Sequence, residues 1–439
     1  MASAPVDPAL KTKFATNSEI DIIIELKEST STLLDKANVM KFESMNAKRT
    51  YVYQTMKAFT EAQQADILAF LGSRTTSNQV KGFWIVNSIS VRGADLKLAE
   101  EVAARFADKI QVVRAGHVAS VETPVQEYFH RPSARSWGIE TVEAEAAWAA
   151  GYDGRGVRVS NTDTGVRPTH EALRDNYVGD NDYGWFDPYN GSPSPRDNNG
   201  HGTHTMGTIA GSQGIGVAPG AQWMACLGCS TSSCAEFALL GCGEWTACPT
   251  LADGSNANCD KAPVASGNSW GGGQGNSWYN NIINTWRSVG IAPVFSAGNS
   301  GSSCGTANSP ADQPGAISVG STTSTNALSS FSSRGPGRTV PQKPEISAPG
   351  SSIISASHNS DIGYATLSGT SMASPHVTGA FAVLKQKNPS LTIDQGANAI
   401  YSTAMQPPLS SPPCGGSTLW PNYHYGYGIL NVFQAVNAV

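Results

Sequence analysis

Three short runs, in the chain order aspartate, histidine, serine, hold residues whose types suit one chemistry. Asp163-Thr164-Gly165 closes an extended stretch that begins at Val157-Arg158-Val159. His201-Gly202-Thr203-His204 enters a helical run from Thr205 to Ala210. Gly369-Thr370-Ser371-Met372-Ala373-Ser374-Pro375-His376 enters a longer helical run through Val377, Phe381 and Leu384. A serine hydroxyl is a poor nucleophile at neutral pH and needs a base within hydrogen-bond reach. Histidine can take that proton and pass it to a leaving amine. A buried carboxylate then fixes the imidazole tautomer and stabilises the imidazolium. At a helix start Ser371 would expose its Oγ, with the positive end of the helix dipole facing a developing oxyanion. Pro375 is compatible with that start, because first-turn N–H groups have no partner within the helix. Asn299, in Ser296-Ala297-Gly298-Asn299 after the apolar run to Phe295, adds an amide able to donate to the same oxyanion.

Other chemistries fit fragments of this pattern and fail on the rest. Asp-Thr-Gly also marks two-carboxylate proteases, but these need a second copy, and no other Asp-Thr-Gly or Asp-Ser-Gly occurs. His201 and His204 have metal-pair spacing, yet no glutamate follows the first histidine. Gly301-Ser302-Ser303-Cys304-Gly305 has the form of a nucleophile elbow, but Pro310 and Pro314 follow where its helix would have to form. Asp180, Asp182 and Asp187 read as a solvated acidic loop more readily than as a cation site. A non-catalytic binding protein of the same fold stays open, although no member of the Asp, His, Ser set is missing.

The elements around these runs divide the chain in two. Up to about residue 120 the pattern is strand, helix, strand, helix, strand. Ile20-Asp21-Ile22-Ile23-Ile24-Glu25-Leu26 is β-branched and strand-like. Thr60 to Leu71 repeats apolar residues at helical spacing, with Thr60 read as its N-cap. A strand is expected over Gly82 to Val91, a helix over Asp95 to Phe106, and a returning strand at Ile110-Gln111-Val112-Val113. That order fits a small ferredoxin-like α+β sandwich. From Trp137 onward, short apolar runs such as Ile291-Ala292-Pro293-Val294-Phe295 and Ala316-Ile317-Ser318-Val319 alternate with helical stretches and Gly-rich loops. The alternation predicts an α/β domain with a doubly wound, mostly parallel sheet.

Composition narrows the class. The 439 residues include 14% charged and 40% apolar ones, as in an ordered globular protein, and the net charge of -5 leaves no basic footprint for nucleic acid. No run approaches the length of a membrane span. All eight cysteines lie at or after Cys226, six of them between Cys226 and Cys259. Cys226-x-x-Cys229 lacks the second pair of a zinc ribbon, so disulfides and an oxidising compartment are expected. Cys304 with Cys414, and three bridges inside the cluster, is the pairing favoured among the 105 that eight cysteines allow. The first residues, Met1 to Asp7, carry no apolar signal core; a secreted protein whose signal peptide is absent from this version of the chain fits both observations.

The runs Asp197-Asn198-Asn199-Gly200-His201-Gly202-Thr203-His204, Ser269-Trp270-Gly271-Gly272, Ala297-Gly298-Asn299 and Gly369 to Gly379 resemble the subtilisin-like serine peptidases in sequence and order. Asn161 to Val166 and Asn268 to Gly273 are similar in wording to the bacillopeptidase F branch. The resemblance implies that Asp163 orients, His201 is the base, Ser371 attacks and Asn299 binds the oxyanion, while His204 is structural. It implies that Ser269, Trp270 and Gly271 pair with bound peptide as an edge strand, with Ala297 and Gly298 also at the substrate. Asn87 to Glu122 resembles the propeptides of this family. A self-processing zymogen is therefore expected, with residues 1–130 as propeptide (core about 19–122, linker about 123–130) and 131–439 as the catalytic domain. The first cut is expected between about 127 and 132. Trp270, Trp278 and the glycines at 271–273 suggest an open apolar cleft for protein substrates. No cofactor is required on this reading, and a monomer with no partner beyond substrate and propeptide is expected. Only Ser212-Gln213-Gly214 separates Gly211 from Ile215, where many relatives have a longer calcium-binding loop, so that structural calcium site is expected to be missing. Ser160-Asn161-Thr162 is more polar than the family's usual strand at this point.

Overall fold

Seven short strands, each buried along nearly its whole length, can only be satisfied inside a sheet covered on both faces. The computed structural model, which describes residues 5–76, 79–121, 127–130, 135–409 and 413–439, shows that sheet. Across it the order is Ile346–Pro349, Ile317–Thr322, Ala292–Ser296, Ala265–Asn268, Arg158–Asp163, Gln222–Leu227 and Trp185–Phe186. Every pairing is parallel. The strand Arg158–Asp163 is first in the chain yet lies inside the sheet. The next long strand adds on one side and the later four on the other. The carboxyl end of that strand is thus a topological switch point, where α/β sheets place their ligand sites.

Two helices deliver the other two motifs to this edge: His201–Ala210 and Thr370–Lys387, packed against each other. Gly379 permits the approach, since a Cβ there would stand 2.9 Å from the Ile209 carbonyl and 2.7 Å from Val217 Cβ. Four disulfides join Cys226–Cys242, Cys229–Cys234, Cys248–Cys259 and Cys304–Cys414. The last is the expected pair, and the three others all fall inside the cluster. The two cysteines of the Cys226-x-x-Cys229 run end in different bridges.

The N-terminal region is a separate α+β layer. Its antiparallel sheet runs Val80–Phe83, Ser88–Ala94, Ile20–Leu26, Ile110–Ala115. Two expectations need correction here. The stretch from Gly82 to Val91 is a hairpin of two strands, turned at Asn87, whose φ of 47° an asparagine tolerates and whose side chain donates to the Glu28 carbonyl. The helix read from Thr60 begins at Met45, with Ser44 as its cap accepting from the Ala47 N–H. Thr60 sits mid-helix and satisfies its hydroxyl on the Lys57 carbonyl one turn back. The helix Leu96–Arg105 carries Asp95 as N-cap, close to the expected bounds.

Candidate active site

Asp163 ends the strand at the switch point, and the chain must then turn at once. Gly165 makes the turn with φ of 98°, and a side chain there would collide with the Arg196 carbonyl. Thr164 accepts from the Gly202 N–H at 2.9 Å and donates to Asp197 at 3.0 Å. Asp197 is the clamp of the neighbouring helix start. Its carboxylate accepts from the N–H groups of Asn199, Gly200 and Thr203, and from the Thr203 hydroxyl at 2.6 Å. These bonds satisfy donors that a helix start leaves open and set the rotation of its first residue, His201.

With both ends pinned, His201 Nδ1 lies 2.7 Å from Asp163 Oδ1, the two side chains 1% exposed each. The Thr164 N–H also donates to that oxygen at 2.7 Å. Asp163 Oδ2 accepts from Thr205 Oγ1 at 3.3 Å, and Thr205 in turn accepts from Asn161 Nδ2 at 2.8 Å. Asn161 also donates to the Gly202 carbonyl. The polar residue in the strand thus reaches across to the histidine helix. Thr205 and Asn161 were not among the expected site residues; of the two, the polar wording of the strand marked Asn161 alone as unusual.

Ser371 is the second residue of its helix, and its Oγ donates to the Ser269 carbonyl at 3.3 Å. Ser269 returns the contact: its hydroxyl bonds the Ser371 carbonyl and Ser374 Oγ. Asn299 Oδ1 accepts from both the N–H and the hydroxyl of Thr370, at 2.8 and 2.9 Å. With its oxygen so occupied, the amide nitrogen is turned toward the same helix start; a Cβ on Gly369 would lie 3.3 Å from it. Ala297 and Gly298 form the bend before Asn299. The Ala297 carbonyl accepts from the Asn308 N–H, and the Gly298 N–H donates to Thr370 Oγ1. They brace Asn299.

The groove beside Ser371 is filled by the chain itself. Val118–Ser120 pairs antiparallel with Ser233–Ala235 on one side, and Ser120 exchanges two backbone hydrogen bonds with Gly271 on the other, at 3.0 and 3.1 Å. Gly271 is thus bridged to Ser120 of the same chain. With the N-terminal region in place Trp270 is 1% exposed, packed among Trp278, Tyr279 and Phe295. Ala119 and Val121 belong to the same apolar cluster as Trp270, Tyr279 and Phe295.

His204 is fully buried and bonds two backbone carbonyls, Ile353 and Ala365, through Nε2. Burial lowers its pKa to about 3. Among the described residues no three His, Cys, Asp or Glu side chains converge as metal ligands. Asp180, Asp182 and Asp187 are held apart by Tyr177 and Ser194, by Arg158 and Lys261, and by Ser192 and Arg196, respectively.

Residues 154–428 match the Peptidase_S8 model, described as the subtilase family. The chain belongs to the subtilase family. Its relatives include Bacillopeptidase F of Bacillus subtilis (strain 168), 33% identical over 99% of this chain and 32% of that protein. Subtilisin BL of Lederbergia lenta is 35% identical over 68% of this chain and 97% of its own length. Subtilisin E of Bacillus subtilis (strain 168) is 30% identical, covering 87% of this chain and 88% of that one. The chain thus spans about a third of the length of Bacillopeptidase F but nearly all of the subtilisins. As a subtilase it is a serine endopeptidase by class.

Proposed function

We propose that this chain is the zymogen of a secreted endopeptidase that cuts proteins through an acyl-enzyme, with Asp163, His201 and Ser371 as its triad. The observation that carries the reading is the buried Asp163–His201 hydrogen bond at the sheet's switch point, beside a groove where Ser120 pairs with Gly271. His201 takes the Ser371 proton as Oγ attacks the scissile carbonyl, and the resulting imidazolium is stabilised by Asp163. The carbonyl becomes an oxyanion that receives the Asn299 amide and the Ser371 N–H at the positive end of the helix. The same proton passes to the leaving amine; water then repeats the sequence on the acyl-enzyme and restores the serine. No metal or cofactor enters any step. Ser269, Trp270 and Gly271 act through backbone pairing, and Ala297 and Gly298 by bracing the oxyanion donor. The residues before the cut are the propeptide, held as an intramolecular inhibitor. Four disulfides favour secretion; no helix among the described residues is long and apolar enough to cross a membrane.

Labelling of the mature enzyme with a fluorophosphonate, followed by peptide mapping, is expected to place the adduct on Ser371. Ser371→Ala is expected to lose both labelling and casein hydrolysis while keeping the parent's circular dichroism. Labelling at another serine, or hydrolysis within tenfold of the parent, would overturn the assignment.

A further inference from the structure

Glu236 opens the helix Glu236–Ala247 at the far end of the groove that holds Val118–Ser120. Its N–H donates to the His117 carbonyl at 3.0 Å, extending by one residue the ladder that pairs Ala235 with Val118. Among the described residues its carboxylate is gripped from the N-terminal region. Arg114 Nη1 and Nη2 donate to its two oxygens at 2.7 Å each, and the His117 N–H donates at 2.7 Å. Glu25 holds Nε of the same guanidinium at 2.6 Å. Burial pushes the Arg114 pKa down, and its bonds to Glu236 and Glu25 more than offset this, leaving it raised. With these partners in place the Glu236 side chain is 2% exposed. No side chain of its own domain, among the described residues, donates a hydrogen bond to it. When the N-terminal region departs, the acidic side chain at this helix start is therefore left at the groove without its cation.

We propose that Glu236 is a specificity-determining residue that reads a basic side chain far upstream of the scissile bond. The inference rests on the peptidase reading above. A peptide paired with Gly271 as Ser120 is presents to Ser371 the residue two places on, because Ser371 bonds the Ser269 carbonyl two places back. Counting from there, the residue in the place of His117 is sixth before the cut and that in the place of Gly116 is seventh. The sixth residue lays its backbone on Glu236, so an arginine at either place can bring its planar fork to the carboxylate that Arg114 has vacated.

The test uses mature wild-type enzyme and quenched fluorescent peptides sharing one sequence for the five residues before the bond, with Arg, Ala or Glu at the sixth and seventh places. The expected kcat/KM is about tenfold higher for the Arg peptide than for the Glu peptide, the factor that about 1.4 kcal/mol represents. That ratio should shrink as salt rises from low to high ionic strength. In E236Q it should fall to within about twofold, and in E236R it should invert. Equal rates for Arg and Glu peptides with the wild type, or a ratio that survives E236Q, overturn the proposal. Should the glutamine variant fail to mature, a wild-type ratio that does not respond to salt is enough to overturn it. Cleavage of the Ala peptide is the separate check on the peptidase reading. With that cleavage present, a missing charge preference sinks only the role of Glu236; without it, both fall.

Discussion

Thr205 bonds the second oxygen of Asp163, and Asn161 bonds Thr205, so the carboxylate is fixed by two residues of one helix, one of them braced from the strand. Such a group is a positioning residue, and its loss should appear in kcat more than in KM. Thr205→Val keeps the shape and removes the hydroxyl; kcat is expected to fall by up to about tenfold, on the order of one net hydrogen bond. Thr205→Ser should recover most of it. A change confined to KM, or no rescue by serine, would leave Thr205 a packing residue. Asn299→Ala should lower kcat by about two orders of magnitude with KM little changed, a figure borrowed from this family's own oxyanion donor. A pure KM effect would remove Asn299 from that role. At this scale the contact of Asp163 with His201 was legible because each motif is local: cap, turn and polar side chain lie within a few residues of one another. What was not legible is further contact across elements. Nothing in the wording of residues 160–162 says that Asn161 meets Thr205, 44 residues later.

The two helices that carry His201 and Ser371 also bury His204 and His376, and these impose a pH limit on the packed pair. Burial lowers His204 to about 3 and His376 to about 4, from the usual 6.5, so both imidazoles are neutral in the folded protein down to acid pH. The unfolded chain takes up protons on both below about pH 6.5. Their contribution to stability is thus fully present above that value and is lost as pH falls toward 4 and then 3, with a limiting slope of about 1.4 kcal/mol per pH unit for each. The melting temperature of Ser371→Ala, a background free of self-digestion, should drop steadily between pH 7 and 4.5. His204→Gln, which can still donate to the Ile353 and Ala365 carbonyls, should show a shallower fall across the same range. A flat profile in the parent, or the same slope in both, would contradict this account. Element existence was readable from periodicity for the sheet strands and for the helix after Asp95. Starts and turns were harder. Thr60 looked like a cap because a mid-helix threonine and a capping one differ only in which backbone group the hydroxyl meets.

For the whole molecule, the N-terminal region grips the larger α/β domain at points far apart. Arg49, on the helix Met45–Gly72, donates to the carbonyls of Val289, Ala262 and Pro263 at 2.9, 3.4 and 3.4 Å. Glu244 accepts from the N–H groups of Trp84 and Ile85 at the hairpin turn, and Arg114 holds Glu236. Two regions of different grammar could be told apart from composition and pattern alone, but none of these contacts could, since they pair residues more than a hundred positions apart. They bear on the place of the first cut. Ser120 lies opposite Gly271, so by register alone the bond expected at Ser371 is Glu122–Thr123, both residues lying outside the described ones. The window expected from the sequence lay later, at about 127–132. Its residues 131 and 132 fall outside the described ones, but Glu127–His130 is a strand paired with Gly363–Leu367, inside the catalytic domain. A cut at 122–123 leaves that strand with the enzyme, whereas a cut in the later window removes part or all of it. A scissile bond within the same chain is attacked at high effective concentration, so the rate of self-processing should not depend on protein concentration. N-terminal sequencing of freshly matured enzyme should therefore begin at Thr123, processing should be first order over a hundredfold dilution, and Ser371→Ala should keep its full N-terminal region. A mature chain starting between residues 128 and 133 would defeat the register argument, and cleavage of the alanine variant at the same bond in a protease-free host would defeat self-processing itself.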